Sequence, residues 1–287
     1  MRGKILFAAL GLLAACKTTR PMALGLSGIW PPGAVAVSGV PQATPEQWQQ
    51  YWTFSAGHAE FMVAHGSTVA EVAAIAQQIQ ARTMKPAIVV TDVPESDAIA
   101  GYLAAAAPVL ATADIPVWCV GNEVDGADAQ VATRASSVAG GLKSIKPSLT
   151  TCTVFQYERV KALSDAAARA ARFAVDALAF TTYPSAIAGF TTASSVPTSY
   201  YAPMQTIAGA KKILVTEVSW HAASEIEQAA FVKRLPTLAP KGLLYASWFS
   251  PFDFSPNVAP GAWSKMGMAG RPAEAEWLSL LAIPEDD

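Results

Sequence analysis

Val117-Trp118-Cys119-Val120-Gly121-Asn122-Glu123 runs four apolar residues into a glycine, an amide and a carboxylate. An apolar run of this length, ended by glycine, reads as a strand buried on both faces, as strands of a parallel sheet are. Its polar end then lies at the strand's C-terminal end, where open α/β sheets and barrels place their ligands. Ile213-Leu214-Val215-Thr216-Glu217-Val218-Ser219-Trp220 repeats the design further along the chain. Two apolar strands each deliver one glutamate to what is read as a common rim.

Outward from these two stretches the chain alternates regularly. A weak first strand is read at 23–29, followed by a Pro- and Gly-rich loop. A helix opens at Thr44 with Pro45 at its first position. A strand at 60–64 ends at His65-Gly66. A helix over 67–82 carries Val69, Val72, Ala73, Ala76 and Ile79 on one face. A strand at 87–90 ends at Thr91-Asp92. Helix 95–110, strand 115–120, helix 127–145 and strand 149–155 follow. Then come helix 160–173, strand 177–182 ending at Tyr183-Pro184, and a Ser/Thr/Gly-rich loop over 185–199. A short helix at 201–210, strand 213–218, helix 225–235, strand 243–249 and helix 274–281 complete the chain. Eight strands alternating with helices imply a parallel sheet covered by helices, and the length fits a single (β/α)8 TIM barrel over 23–287. An open doubly wound sheet would call for a G-x-G-x-x-G turn after an early strand, and none occurs.

The chain has 287 residues, of which 52% are hydrophobic, enough for one large core. Net charge is −2, so no basic field exists to hold a phosphate backbone, and nucleic acid is not expected as a partner. There are only three histidines, which argues against a His-rich metal site, and no G-x-S-x-G occurs. Glu285, Asp286 and Asp287 read as a solvated acidic tail.

Residues 1–15 read as an export signal: Arg2 and Lys4 precede a short apolar stretch over 5–13, too short to span a membrane. Leu13-Ala14-Ala15-Cys16 resembles the lipobox of bacterial lipoproteins. The resemblance implies cleavage before Cys16 and lipidation of that cysteine, with 16–22 as a tether. Lys17 after the cysteine implies the outer membrane or cell surface. An ordinary secretory signal with Cys16 incidental is the plainer alternative. Cys119 and Cys152 fall on consecutive strands, where a disulfide is geometrically awkward, so buried free thiols are expected.

Counted along the chain, Gly121-Asn122-Glu123 follows strand four and Thr216-Glu217 ends strand seven. In this the chain resembles clan A of the retaining glycoside hydrolases, which are (β/α)8 barrels with Asn-Glu after the fourth strand and a second glutamate after the seventh. The resemblance covers the barrel order from about residue 60 onward. It implies Glu123 as acid/base, Glu217 as nucleophile and Asn122 on the sugar 2-hydroxyl. It also implies Tyr183 donating to Glu217, Trp248 flooring the sugar subsite, and no metal or organic cofactor. Many members carry an arginine near the end of the second strand; this chain has none there. His65 and Asp92 end strands two and three on the same rim as candidate substrate contacts. Retention requires two carboxyl groups about 5–5.5 Å apart, one protonated and one ionised, and neighbouring carboxylates push their pKa values apart.

Plainer readings stand beside these. A lone glutamate at a strand end is usually a solvated rim residue. His65 is open between a structural histidine and a ligand contact, and Tyr183 before Pro184 is open between a turn aromatic and a site residue. Trp220 is open between sugar platform and packing; Trp263 is expected to pack. The expectation is a monomeric, exported glycosidase acting on a poly- or oligosaccharide. A non-catalytic glycan-binding barrel at the cell surface is the alternative.

Overall fold

Alternation along a strand sends successive side chains to opposite faces, and here both faces are covered. The computed structural model describes residues 20, 22–27, 45–221, 223–253 and 261–284. Eight parallel strands, β1 (Ala23–Ser27), β2 (Phe61–Gly66), β3 (Lys85–Val90), β4 (Val117–Val120), β5 (Thr150–Gln156), β6 (Ala177–Thr182), β7 (Lys212–Val218) and β8 (Leu243–Phe249), pair in sequence order. β8 pairs back onto β1, so the sheet closes into the (β/α)8 barrel. Around it run α1 (Pro45–Ser55), α2 (Val69–Gln80), α3 (Ile99–Thr112), α4 (Ala129–Ile145), α5 (Tyr157–Val160), α6 (Ala166–Ala171), α7 (Pro203–Ala208), α8 (Glu225–Leu238) and α9 (Pro272–Leu281).

One set of alternate residues, including Phe61, Val63, Val89, Val117, Val154 and Leu214, fills the barrel axis. The other set, including Leu24, Ile88, Trp118, Phe155, Phe180 and Trp248, packs under the helices. Gly25 is needed where it stands: a Cβ there would lie 2.6 Å from the Phe61 ring, which crosses the barrel floor toward Tyr245. The helix starts follow their local chemistry. Thr68 and Glu71 form a reciprocal capping box at α2, and Asp128 accepts from the amides of Gln130 and Val131 at α4.

The structure corrects three sequence expectations. The helix read over 160–173 is two short pieces, α5 and α6, separated around Ser164 and Asp165. Short polar side chains of this kind compete for backbone hydrogen bonds and favour helix ends. Cys119 and Cys152 are not free thiols but a disulfide. They are direct register partners on β4 and β5, both face the barrel axis, and their Cα atoms stand 4.2 Å apart. Directly opposed residues of neighbouring strands share a face, so the expected misalignment does not arise. The packed body also reaches back into the stretch read as a tether: Met22 is in the core, and Arg20 is buried, bonding the carbonyls of Met22 and Ile283 and the carboxylate of Glu60. The signal segment, Cys16, the loop at 28–44, the tail at 285–287 and the side chain of Trp263 lie outside the described residues.

Candidate active site

The two glutamates reach one place by different backbone devices. At the end of β4 the sheet pairing continues for two residues: Gly121 N–H donates to Val90 and Asn122 N–H to Thr91. The chain then turns sharply. Gly121 has φ +84°, and a Cβ there would lie 2.8 Å from both Val93 and Val124. Glu123 follows with φ 52°, a left-handed conformation that non-glycine residues rarely adopt. Its carboxylate accepts from Thr181 Oγ1 at 2.9 Å and pairs with Arg159 Nη1 at 3.2 Å.

Glu217 arrives through a bulge. Phe180 pairs with Val215, but the next residue of β6, Thr181, pairs with Glu217. Thr216 is the extra residue, and its carbonyl accepts from Ser247 on the far side. Leu214 faces the axis, so strict alternation would turn Glu217 outward under the helices; the added residue reverses that and points it into the barrel mouth. There Tyr183 Oη donates to Glu217 Oε2, and His65 Nε2 lies 3.2 Å from Oε1. Thr181 is common to both glutamates, bonded to the side chain of one and paired with the backbone of the other.

Burial dominates the electrostatics. It pushes Glu217 up to about 8, the negative charge of Glu123 adding and the Tyr183 hydrogen bond opposing. Burial also raises Glu123, against the opposing pull of the Thr181 hydrogen bond and the Arg159 cation. His65 is held down at about 4 by burial, so at neutral pH Glu217 faces a neutral imidazole. Burial and the adjacent Glu217 carboxylate raise Tyr183 well above its ordinary range, which keeps it a donor. Among the described residues, the cation paired to this pair of glutamates is Arg159, on Glu123.

The remaining sequence candidates divide. Asn122 is half-buried at the mouth, and its Oδ1 has no hydrogen-bond partner. Asp92 is exposed just after β3. Trp248 is not a platform: it is fully buried, its indole N–H donates to the Met266 carbonyl, and its ring packs edge-on against Trp277 of α9. Trp220 is likewise buried, against Phe231 of α8. The aromatic at the mouth is the next residue of β8, Phe249, half-buried, its ring 5.5 Å from that of Tyr183. A slip of one residue along a strand exchanges its faces, and that slip separates Trp248 from Phe249. Sequence reading also passed over Arg159, Thr181 and Glu158. The cluster Gln156-Tyr157-Glu158-Arg159 directly after an apolar strand carries the same signal as Asn122-Glu123.

Two neighbouring carboxyl groups at one barrel mouth, both raised by burial, suit acid-assisted displacement at an acetal carbon once one of them ionises. No family model matches the chain, and neither does any curated protein. Among solved structures, a family 39 glycoside hydrolase from Bacteroides cellulosilyticus superposes with TM-score 0.60 at 13% identity, over 92% of this chain and 64% of that one. A family 17 beta-1,3-glucanosyltransferase from Rhizomucor miehei gives 0.58 at 15%, over 85% and 91%. The GH53 catalytic domain from Ignisphaera aggregans gives 0.60 at 11%, over 92% and 99%. The chain spans less than two thirds of the family 39 enzyme, and at these identities the likeness establishes a shared eight-stranded barrel.

Proposed function

We propose that this barrel is a glycosidase that hydrolyses O-glycosidic bonds of a poly- or oligosaccharide with retention. The observation that carries the reading is the meeting of a buried and a half-buried glutamate around Thr181, Glu217 bonded by Tyr183 and Glu123 by Arg159. The barrels it superposes on are glycoside hydrolases and a glucanosyltransferase, which supports the same class of chemistry.

In the proposed reaction a Glu217 oxygen attacks the anomeric carbon while Glu123 gives its proton to the departing glycosidic oxygen. Glu123 then takes a proton from water, whose oxygen displaces Glu217 and restores the anomeric configuration. Tyr183 holds Glu217 Oε2, and Oε1, which faces His65 Nε2 at 3.2 Å, is the attacking atom. Glu217 must ionise before it attacks, and positive charge developing at the sugar lowers the cost of doing so. Asn122, with a buried unpaired oxygen, offers an acceptor for a sugar hydroxyl, and Phe249 an apolar face. The disulfide inside the barrel fits an exported protein in an oxidising compartment, so export and a lipid anchor on Cys16 remain part of the proposal.

The Arg159 cation on Glu123 favours a second reading, in which the roles are exchanged and Glu217 is the acid. The test is a glycan panel with wild type, Glu123→Gln and Glu217→Gln, followed by azide rescue of the alanine variants. Reducing sugar from the wild type alone is expected. Azide is expected to give an inverted glycosyl azide with Glu217→Ala and a retained one with Glu123→Ala. The opposite stereochemistry establishes the exchanged roles. Saturable binding with no turnover would replace both by glycan capture.

A further inference from the structure

A second buried carboxylate lies behind the pair, unused by the chemistry above. Glu158 is 8% exposed. Its Oε1 accepts from Thr182 Oγ1 at 2.6 Å, Tyr200 Oη at 2.9 Å and the backbone N–H of Tyr183 at 3.3 Å. Its Oε2 accepts from Gln156 Nε2, whose own carbonyl oxygen accepts from the amide of Arg159. Tyr157 and Tyr201 complete the wall, and Lys161 Nζ lies 3.8 Å from the centre of the Tyr200 ring. A buried carboxyl group is tolerated only where donors saturate it, and these donors are arranged around one turn.

That turn is where β6 ends. Thr182 is its last residue and Tyr183 the first beyond it, and both are held by one oxygen of Glu158. The same oxygen takes Tyr200, at the far end of the long loop that Tyr183 begins. The direction in which Tyr183 leaves the strand, and so the reach of its hydroxyl to Glu217, is fixed from behind by Glu158. We propose that Glu158 is a positioning residue that sets the Tyr183–Glu217 hydrogen bond. The inference rests on Glu217 belonging to the working pair, but its test needs no turnover.

The test follows the titration of Glu217 by NMR of carboxyl-labelled protein, with the resonance identified by its loss in Glu217→Gln. The charged and titratable groups facing Glu217 are Tyr183, His65 and Glu123; those facing Glu158 are Tyr157, Tyr183, Tyr200, Tyr201, Lys161 and Glu123. Glu158→Gln keeps the shape but sets an amide N–H against donors. It is expected to raise the midpoint of Glu217 by about one pH unit, the size of one lost hydrogen bond to a charged group. Tyr183→Phe is expected to give the same rise, and the double variant no more than either alone. Simple removal of a negative charge moves the midpoint the other way, downward, so a fall overturns the proposal. So does an unchanged midpoint, or a rise of equal size in the Tyr183→Phe background. Should Glu158→Gln fail to fold, Thr182→Val removes one donor from Glu158 and is expected to give a smaller rise; no rise there overturns the proposal equally. A protein that shows these shifts yet cleaves no glycan refutes the glycosidase reading and leaves the positioning role standing.

Discussion

Glu217 concentrates the cost of the site. Its ordinary value is 4.5 and its folded value about 8, raised chiefly by burial. The folded state therefore holds a proton that the unfolded state releases across that window. Stability falls as pH rises from about 4.5 and levels off above about 8. Glu217→Gln removes the ionisation while filling the same space. It is expected to raise Tm by several degrees at pH 8, about 1–3 kcal/mol, with little effect at pH 4, as read by thermal melts across pH. The same shift governs turnover. With Glu217 as nucleophile, kcat/KM of the free enzyme is expected to rise with pH through about 8. Its acid limb reports the ionisation of this residue, and a limb near the ordinary carboxylate value would separate the group that titrates from the group that attacks.

At the scale of elements, the mouth is built from departures from regular structure. The added residue Thr216 in β7 turns Glu217 inward, and the left-handed pair Gly121 and Glu123 ends β4. Gly121→Ala places a methyl group 2.8 Å from Val93 and Val124 at φ +84°. It is expected to cost about 1–3 kcal/mol in denaturant melts and to lower activity with the glutamate still present, because the turn that aims Glu123 is displaced. The long loop after β6 is clamped at both ends by Glu158. In its middle, α8 holds it through Glu227 on the Ala193 amide and Arg234 on the carbonyls of Ala193 and Val196. A loop held at this many points presents a preformed wall.

Over the whole molecule, the Cys119–Cys152 disulfide joins neighbouring strands beneath the site, across a separation of 33 residues. Replacing both cysteines by alanine is expected to cost about 2–4 kcal/mol in denaturant melts, and wild type kept reduced during refolding is expected to show the same deficit. Equal stability of the oxidised and reduced forms would remove the bond from any account of the fold.

The order of strands and helices was legible in the amino-acid sequence, because doubly buried strands leave continuous apolar runs and surface helices leave a 3.6-residue period. The two glutamates were legible for the same reason: a carboxylate directly after an apolar run stands at a strand end. What sequence did not determine is which face each residue takes. Trp248 and Phe249 are adjacent aromatics, and only the register with β1 and the helix layer sends the first under α9 and the second to the mouth. The disulfide, the inward turn of Glu217 and the buried Glu158 likewise depend on how one strand lies against its neighbour. A chain read one residue at a time carries periodicity within a strand. Alignment between strands is set by closure of the barrel, and that closure exists only in three dimensions.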